Sequence, residues 1–377
     1  MDLAIVWFLL IAVLWTGYLV LEGFDFGVGM LLGIFGRRRK GATPRPDDGA
    51  EKNRRVIINT IGPVWDGNEV WLLTAGGATF AAFPEWYATL FSGFYIPLLL
   101  ILLALIVRVV AFEWRGKIDS DEWRAWADRA IVFGSWVPAV LWGVAFANLV
   151  RGVELDANHQ YVGGFFALLN PFALLGGAVT ALLFLTHGAV FLALKSDGEI
   201  RERAAVLAER LAPVTLLVAG AWAVWAQLAY SAIWTWAVVV LAAVALVAVV
   251  RATRARREGW AFTGTAVTIV AAVVLIFGSM YPDVMPALDP ANSLTIAGAS
   301  SSQYTLQIMT WVAVALTPVV LLYQGWTYWV FRKRISAEQI PASIGLSWRK
   351  IADQAWGGRP DATPDGASGE PAPAPRG

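Results

Sequence analysis

The sequence predicts an all-α integral membrane protein of about nine spanning helices, with the N-terminus outside and the C-terminus cytoplasmic. Three observations carry this. The 377 residues are 58% hydrophobic, with a mean hydropathy of +0.59. Only 15% are charged, where a soluble domain carries about a quarter. The basic residues also sort cleanly to one side of a nine-span count.

Runs of roughly 20 apolar residues mark spans. They fall at about 3–35, 56–82, 86–111, 129–150, 163–193, 206–229, 232–251, 260–281 and 304–331. Alternating sides put the odd-numbered connections and the C-terminal tail together. Those five segments hold 28 of the 29 Lys and Arg, and only Arg151 falls on the other side. Basic loops stay in the cytoplasm, so a missed or invented span would scramble this sorting. Residues 1–335 thus form a nine-span membrane domain with a basic cytoplasmic loop at 36–55, which its Pro and Gly content marks as flexible. Residues 336–377 are a cytoplasmic tail, expected to be disordered from about 357, where Gly, Pro, Ala and Asp dominate. No cleavable signal is evident, because the first apolar run exceeds a signal-peptide core and lacks a small-residue cleavage site.

The absence of cysteine excludes disulfides, c-type haem attachment, iron–sulfur clusters and thiolate metal sites. Two histidines remain. His187, in the fifth span, reads as a hydrogen-bonded helix residue, and His159 as a solvated loop residue. The 20 tryptophans suit two bilayer interfaces, with GWTYW at 325–329 as one belt. Asn148, Asn170 and Gln324 are expected to join helices, and Pro138, Pro171 and Pro318 to kink them. The outer loop 282–303 carries Leu and Ile that could pack back on the bundle.

The second span, RRVIINTIGPVWDGNEVWLL from 54 to 73, carries Asn59, Asp66, Asn68 and Glu69. Ionisable groups inside a bilayer are expensive and mark function. The first span is too long for one straight crossing, at roughly 50 Å for 33 residues, and GFDFGVG at 23–29 is expected to interrupt it. Asp25 then lies roughly 18 Å and Asp66 about 16 Å above the basic edge, while Arg108 lies about 10 Å deep with its side chain leaning toward them. A cluster of Asp25, Asp66 and Arg108 follows, with Trp65 and Asn68 alongside. Glu69 shares the face of Asp66, one turn on. Such a cluster is either a proton path or quinone pocket, or a paired network that only locks three helices.

Six stretches in order resemble subunit II of cytochrome bd-type quinol oxidases. They are GFDFGVG at 23–29, RRVIINTIGPVWDGNEVWL at 54–72, TAGGATFAAFPEWYATLFSGFY at 74–95, AFANLVRGV at 145–153, LLNPFALL at 168–175 and SSQYTLQIMTWVAV at 301–314. The resemblance implies a heterodimer with a haem-carrying subunit I of related helical bundles, and small single-helix subunits as further partners. Subunit I would hold two b-type haems and haem d, and this chain no haem and no metal. The complex would reduce oxygen to water with quinol electrons, drawing protons from the cytoplasm without pumping. Asp66 matches a residue on a proton route, to which Glu69 is added. Asp25, Trp65 and Arg108 match residues flanking a cavity that can hold a structural quinone, to which Asn68 is added. The Ala-, Arg- and Trp-rich composition points to a high-GC bacterium, hence menaquinone. Departures are His187 and the longer, Pro-rich loop 40–52 and tail. The competing readings are a secondary transporter with a charged intramembrane site and a scaffold without chemistry. The acids crowd into the first two spans only, which weighs against the transporter. Nucleic acid is not an expected partner.

Overall fold

The computed structural model describes residues 2–35 and 49–340. The chain is a helical bundle. In order it comprises α1 (Leu3–Phe35), α2 (Ala50–Ile61), α3 (Trp65–Ala82), α4 (Pro84–Gly93), α5 (Tyr95–Trp114), α6 (Asp121–Arg151), α7 (Gly164–Ala167), α8 (Pro171–Lys195), α9 (Gly198–Ala229), α10 (Trp236–Arg254), α11 (Glu258–Met280), α12 (Ile296–Ala299) and α13 (Gln303–Val330). A small antiparallel hairpin, β1 (Asp283–Met285) with β2 (Leu294–Thr295), precedes α12.

Among the described residues, eight helices are long and apolar enough to cross a membrane. The expected second span is the exception, and its course differs from expectation. Gly62, Pro63 and Val64 divide it into α2 and α3, because Pro63 offers no N–H to continue the helical bonding of α2. The remaining α3 carries Asp66, Asn68 and Glu69 within 18 residues, too polar to count by composition. The expected third span is likewise two helices, α4 and α5, turning at Phe94, across which the Phe94 N–H still donates to the Leu90 carbonyl and the Leu98 N–H to the Phe94 carbonyl, both at 2.9 Å. Residues 50–55, expected in a flexible loop, begin α2. Arg115 holds that start in place by donating to both Glu51 oxygens at 2.8 and 2.9 Å and to Asp128 at 2.6 Å. The remainder of that loop from 36 to 48, and the tail from 341, lie outside the described residues.

The expected interruption at 23–29 does not occur, and α1 runs unbroken through GFDFGVG. Its glycines serve close approach instead. A Cβ on Gly27 would overlap the Phe184 carbonyl oxygen, and one on Gly188 would overlap the Gly27 backbone, so α1 and α8 cross backbone to backbone. Helix α8 lies at the centre and packs on α1, α6, α9 and α11. Pro138 and Pro318 sit inside α6 and α13. Pro171 does not kink a helix but opens α8 at its first position, where a missing N–H leaves nothing unsatisfied, with Asn170 capping Ala173 N–H at 3.0 Å. Asn170 also donates to Asn148 at 2.8 Å. The loop after α11 packs back on the bundle. Leu288 N–H donates to the Val153 carbonyl at 2.9 Å, Asn292 to the Leu155 carbonyl at 2.9 Å, and His159 Nδ1 lies 2.9 Å from the Asn292 carbonyl. His159 is therefore tied to that loop rather than simply solvated.

Candidate functional site

Helix α1 places Glu22 and Asp25 one turn apart on one face, and both are fully buried. Helix α5 brings Arg108, also fully buried, whose Nη1 donates to Glu22 Oε1 in a salt bridge. Its guanidinium lies over the rings of Phe26 at 4.8 Å and Phe112 at 5.1 Å, a favourable cation–π arrangement. Gly134 on α6 makes room, since a Cβ there would collide with Arg108 and the Ala104 carbonyl.

Helix α3 contributes Asn68, which is fully buried and donates from Nδ2 to Asp25 Oδ2 at 2.7 Å. Its Oδ1 accepts from the Tyr328 hydroxyl at 2.7 Å and more loosely from Gln324 at 3.4 Å, while Trp71 Nε1 donates to Gln324 at 2.9 Å. Four helices, α1, α3, α5 and α13, thus meet through one polar network. Among the described residues, Glu22 Oε2, Asp25 Oδ1 and Arg108 Nε and Nη2 have no hydrogen-bond partner. That leaves capacity for a water, a proton or a ligand oxygen.

The expected cluster is therefore only partly formed. Asp25, Asn68 and Arg108 come together, but the direct partner of Arg108 is Glu22, which sequence reasoning overlooked. Its signal was present: a charge one turn before Asp25 in an otherwise apolar run. Tyr328, read as part of an interfacial belt, also joins the network, and its spacing of four from Gln324 was the available signal. Asp66 does not join. It sits two residues from Asn68, roughly 200° around the helix, and is exposed on the outside of the chain. Glu69 lies half-buried between the two, within electrostatic reach of both Arg108 and Asp66. Trp65 is buried and stacks on Phe112 with centroids 5.8 Å apart, so it walls the Arg108 side.

Two larger cavities flank this network. One of about 520 Å³ is lined by Trp15, Trp86, Tyr87, Phe91, Trp142 and Phe146 among other apolar residues. Trp86 is buried there, and among the described residues its indole N–H has no partner. The other, of about 380 Å³, opens at the ends of α8 and α13. His187 has Nδ1 at 2.6 Å from the Thr265 hydroxyl and Nε2 at 3.1 Å from the Val20 carbonyl, so neither nitrogen is available to an iron.

The model of the family described as cytochrome bd terminal oxidase subunit II matches residues 3–331. The chain belongs to this family. It is similar to cytochrome bd ubiquinol oxidase subunit 2 of Bacillus subtilis, at 42% identity over 349 residues, covering 88% of this chain and 97% of the relative. It is also similar to cytochrome bd-I ubiquinol oxidase subunit 2 of Escherichia coli K12, at 38% identity, covering 90% and 96%. The fold matches the structure of bd oxidase from Geobacillus thermodenitrificans with a TM-score of 0.70 over 88% of this chain and all of that one, at 19% identity. As a subunit II of the bd family the chain is part of a terminal oxidase, a quinol:oxygen oxidoreductase complex, and is a multi-pass protein of the bacterial cytoplasmic membrane. It works beside a partner subunit, and haems belong to the complex. Membership of the bd family leaves the transporter alternative without support.

Proposed function

We propose that this chain is the non-haem half of a heterodimer with a haem-carrying subunit I, and that Asp66 and Glu69 on α3 pass protons to that partner. The position of Asp66 carries the reading. It faces outward from the chain, in line with exposed Val70 and Leu73. A charged side chain against hydrocarbon costs about 2.5–3.5 kcal/mol or more, so this face suits a polar partner surface better than lipid. Glu69 links Asp66 to the buried Arg108 network without itself being enclosed. The two b-type haems and haem d of subunit I would supply the oxygen chemistry. This chain's residues hold and move protons at the boundary and hold the bundle rigid, and small single-helix subunits would cover further exposed faces.

For Asp25, Trp65, Asn68 and Arg108 the structure favours a lock. Glu22 pairs with Arg108, and Asp25 accepts from Asn68, which in turn accepts from Tyr328, so each buried charge has a partner on another helix. The unpaired N–H groups of Arg108 favour a second reading, in which a quinone carbonyl, menaquinone by composition, accepts from them.

Substitution Asp66→Asn in the assembled complex tests the proton role. Oxygen consumption with quinol should fall several-fold while haem content per complex stays constant. Unchanged turnover at normal haem content would overturn the role of Asp66. Solvent extraction of quinone from the same complex separates the two readings of Arg108. A stoichiometric quinone that Arg108→Lys loses, with assembly intact, supports the pocket, and its absence from the native complex leaves the lock.

A further inference from the structure

The cavity at the ends of α8 and α13 meets the buried network at Tyr328 but has a composition of its own. Its floor is apolar, made by Phe191 and Leu194 of α8 and Phe262 of α11. Its rim is basic, made by Lys195, Arg332 and Arg334, and among the described residues no lining residue is acidic. Of the acids beyond the lining, Glu258 pairs with Arg201 at 2.9 Å and also feels Arg334, while the Asp197 carboxylate, two residues from Lys195, accepts from the Gly198 N–H at 3.0 Å. The rim therefore carries surplus positive charge. Lys195 Nζ donates to the carbonyls of Phe331 and Lys333, and Arg332 donates to the Trp329 carbonyl and lies 4.3 Å from the Trp329 ring. Among the described residues none of the three cations is in an ion pair closer than 4.0 Å.

The walls are held in place rather than loosely apposed. The segment following α13 is stitched to the end of α8, with Ile335 N–H donating to the Lys195 carbonyl at 2.9 Å and Asp197 N–H to the Ile335 carbonyl at 3.1 Å. Yet α13 itself buries only Leu306, and it reaches the bundle through side-chain bonds to α1 and α3. The gap left between α13 and the α8–α11 side is the cavity. At about 380 Å³ it exceeds what a phosphate needs and suits a headgroup with the start of an acyl chain.

We infer that the cavity rimmed by Lys195, Arg332 and Arg334 and floored by Phe191, Leu194 and Phe262 binds an anionic phospholipid, its phosphate on the rim and an acyl chain along the floor. The basic ends of spanning helices lie where anionic headgroups concentrate, and basic pockets between helices capture them. A free phosphate would satisfy the rim but leave the apolar floor wet.

Native mass spectrometry of the purified, delipidated complex tests this, with phosphatidylglycerol, phosphatidylcholine or inorganic phosphate added back. The wild-type complex should retain phosphatidylglycerol in preference to phosphatidylcholine, and excess phosphate should not displace it. Replacing one rim cation by glutamine should weaken retention about fivefold, and replacing all three on the order of a hundredfold. Arg129→Gln, remote from the cavity, should change nothing. Leu194→Trp fills the floor with the charges intact and should also lower retention, which keeps the test decisive if the triple variant fails to assemble. Equal retention of phosphatidylcholine, displacement by phosphate alone, or undiminished binding in both Leu194→Trp and the single-cation variants would overturn the assignment. So would a rise in lipid binding on deleting residues 341–377, which would assign the cavity to the tail.

Discussion

Helices α8 and α13 share a mean hydropathy of 1.9, yet 78% of the apolar window of α8 is buried within the chain against 6% for α13. Hydropathy measures transfer out of water and is blind to which apolar surroundings receive a helix. The difference lies in side-chain size. Helix α8 carries Gly176, Gly177 and Gly188, against which α6 and α1 come into backbone contact. In a bilayer, lipid tails are as apolar as leucine, so close packing of small residues rather than hydrophobicity gathers helices. Helix α13 presents Trp311, Leu316, Val319, Leu322 and Tyr323 outward. It is held by hydrogen bonds at a few points, from Trp7 to the Leu306 carbonyl, from Trp71 to Gln324 and from Tyr328 to Asn68. One helix is a keystone, and the other a surface awaiting lipid or a partner.

The contrast can be broken most severely at Gly188. Gly188→Leu should abolish the folded chain, because the side chain would have to occupy the Gly27 backbone, and neither helix can move without unpacking four neighbours. Fluorescence-detected size exclusion of the tagged complex should show no assembled peak. Next comes the buried pair. Arg108→Met leaves Glu22 enclosed without its partner and should destabilise by about 3–5 kcal/mol. Adding Glu22→Leu should recover most of that loss, as read from thermal unfolding in detergent. Full additivity of the two substitutions would show that the pair is not coupled. A smaller effect is expected at the polar stitch of α13: Tyr328→Phe removes one donor to Asn68 and should cost about 1 kcal/mol, with Gln324 remaining as a weaker substitute. Smallest is Leu322→Ala, 74% exposed on α13, which should fall within about 0.5 kcal/mol for the isolated chain. A larger loss in the whole complex would show that a partner subunit covers that face.

Much of the site was legible in the sequence because charge in an apolar run is conspicuous. Helix rise alone put Asp25 and Asp66 at similar depth, with the Arg108 side chain leaning toward them and Asn68 alongside, and the structure brings Asp25, Asn68 and Arg108 together. Rotation about the helix axis was less legible. Asp66 and Asn68 differ by only two residues, yet one faces out and the other in. The depth estimate could not separate them because rise along a helix carries no azimuth until a neighbour's position is known. Glu22 was overlooked for a related reason, since it lies a turn further from the basic edge and its pairing depends on how α5 crosses α1 at Gly134. The expected break in α1 failed because glycine was read as a local breaker, whereas here the crossing of α8 uses its missing side chain.

By itself, then, the sequence determined the membrane class, the order of the spans, their family and the residue types that cannot lie idle in hydrocarbon. Those are properties of composition and of position along the chain. Only the tertiary structure decided which acid pairs with Arg108, which carboxylate looks outward, and where α13 stands away to leave a basic-rimmed cavity. Those depend on helix rotation and crossing, set by contacts between segments up to about 300 residues apart, as with Trp7 and Leu306.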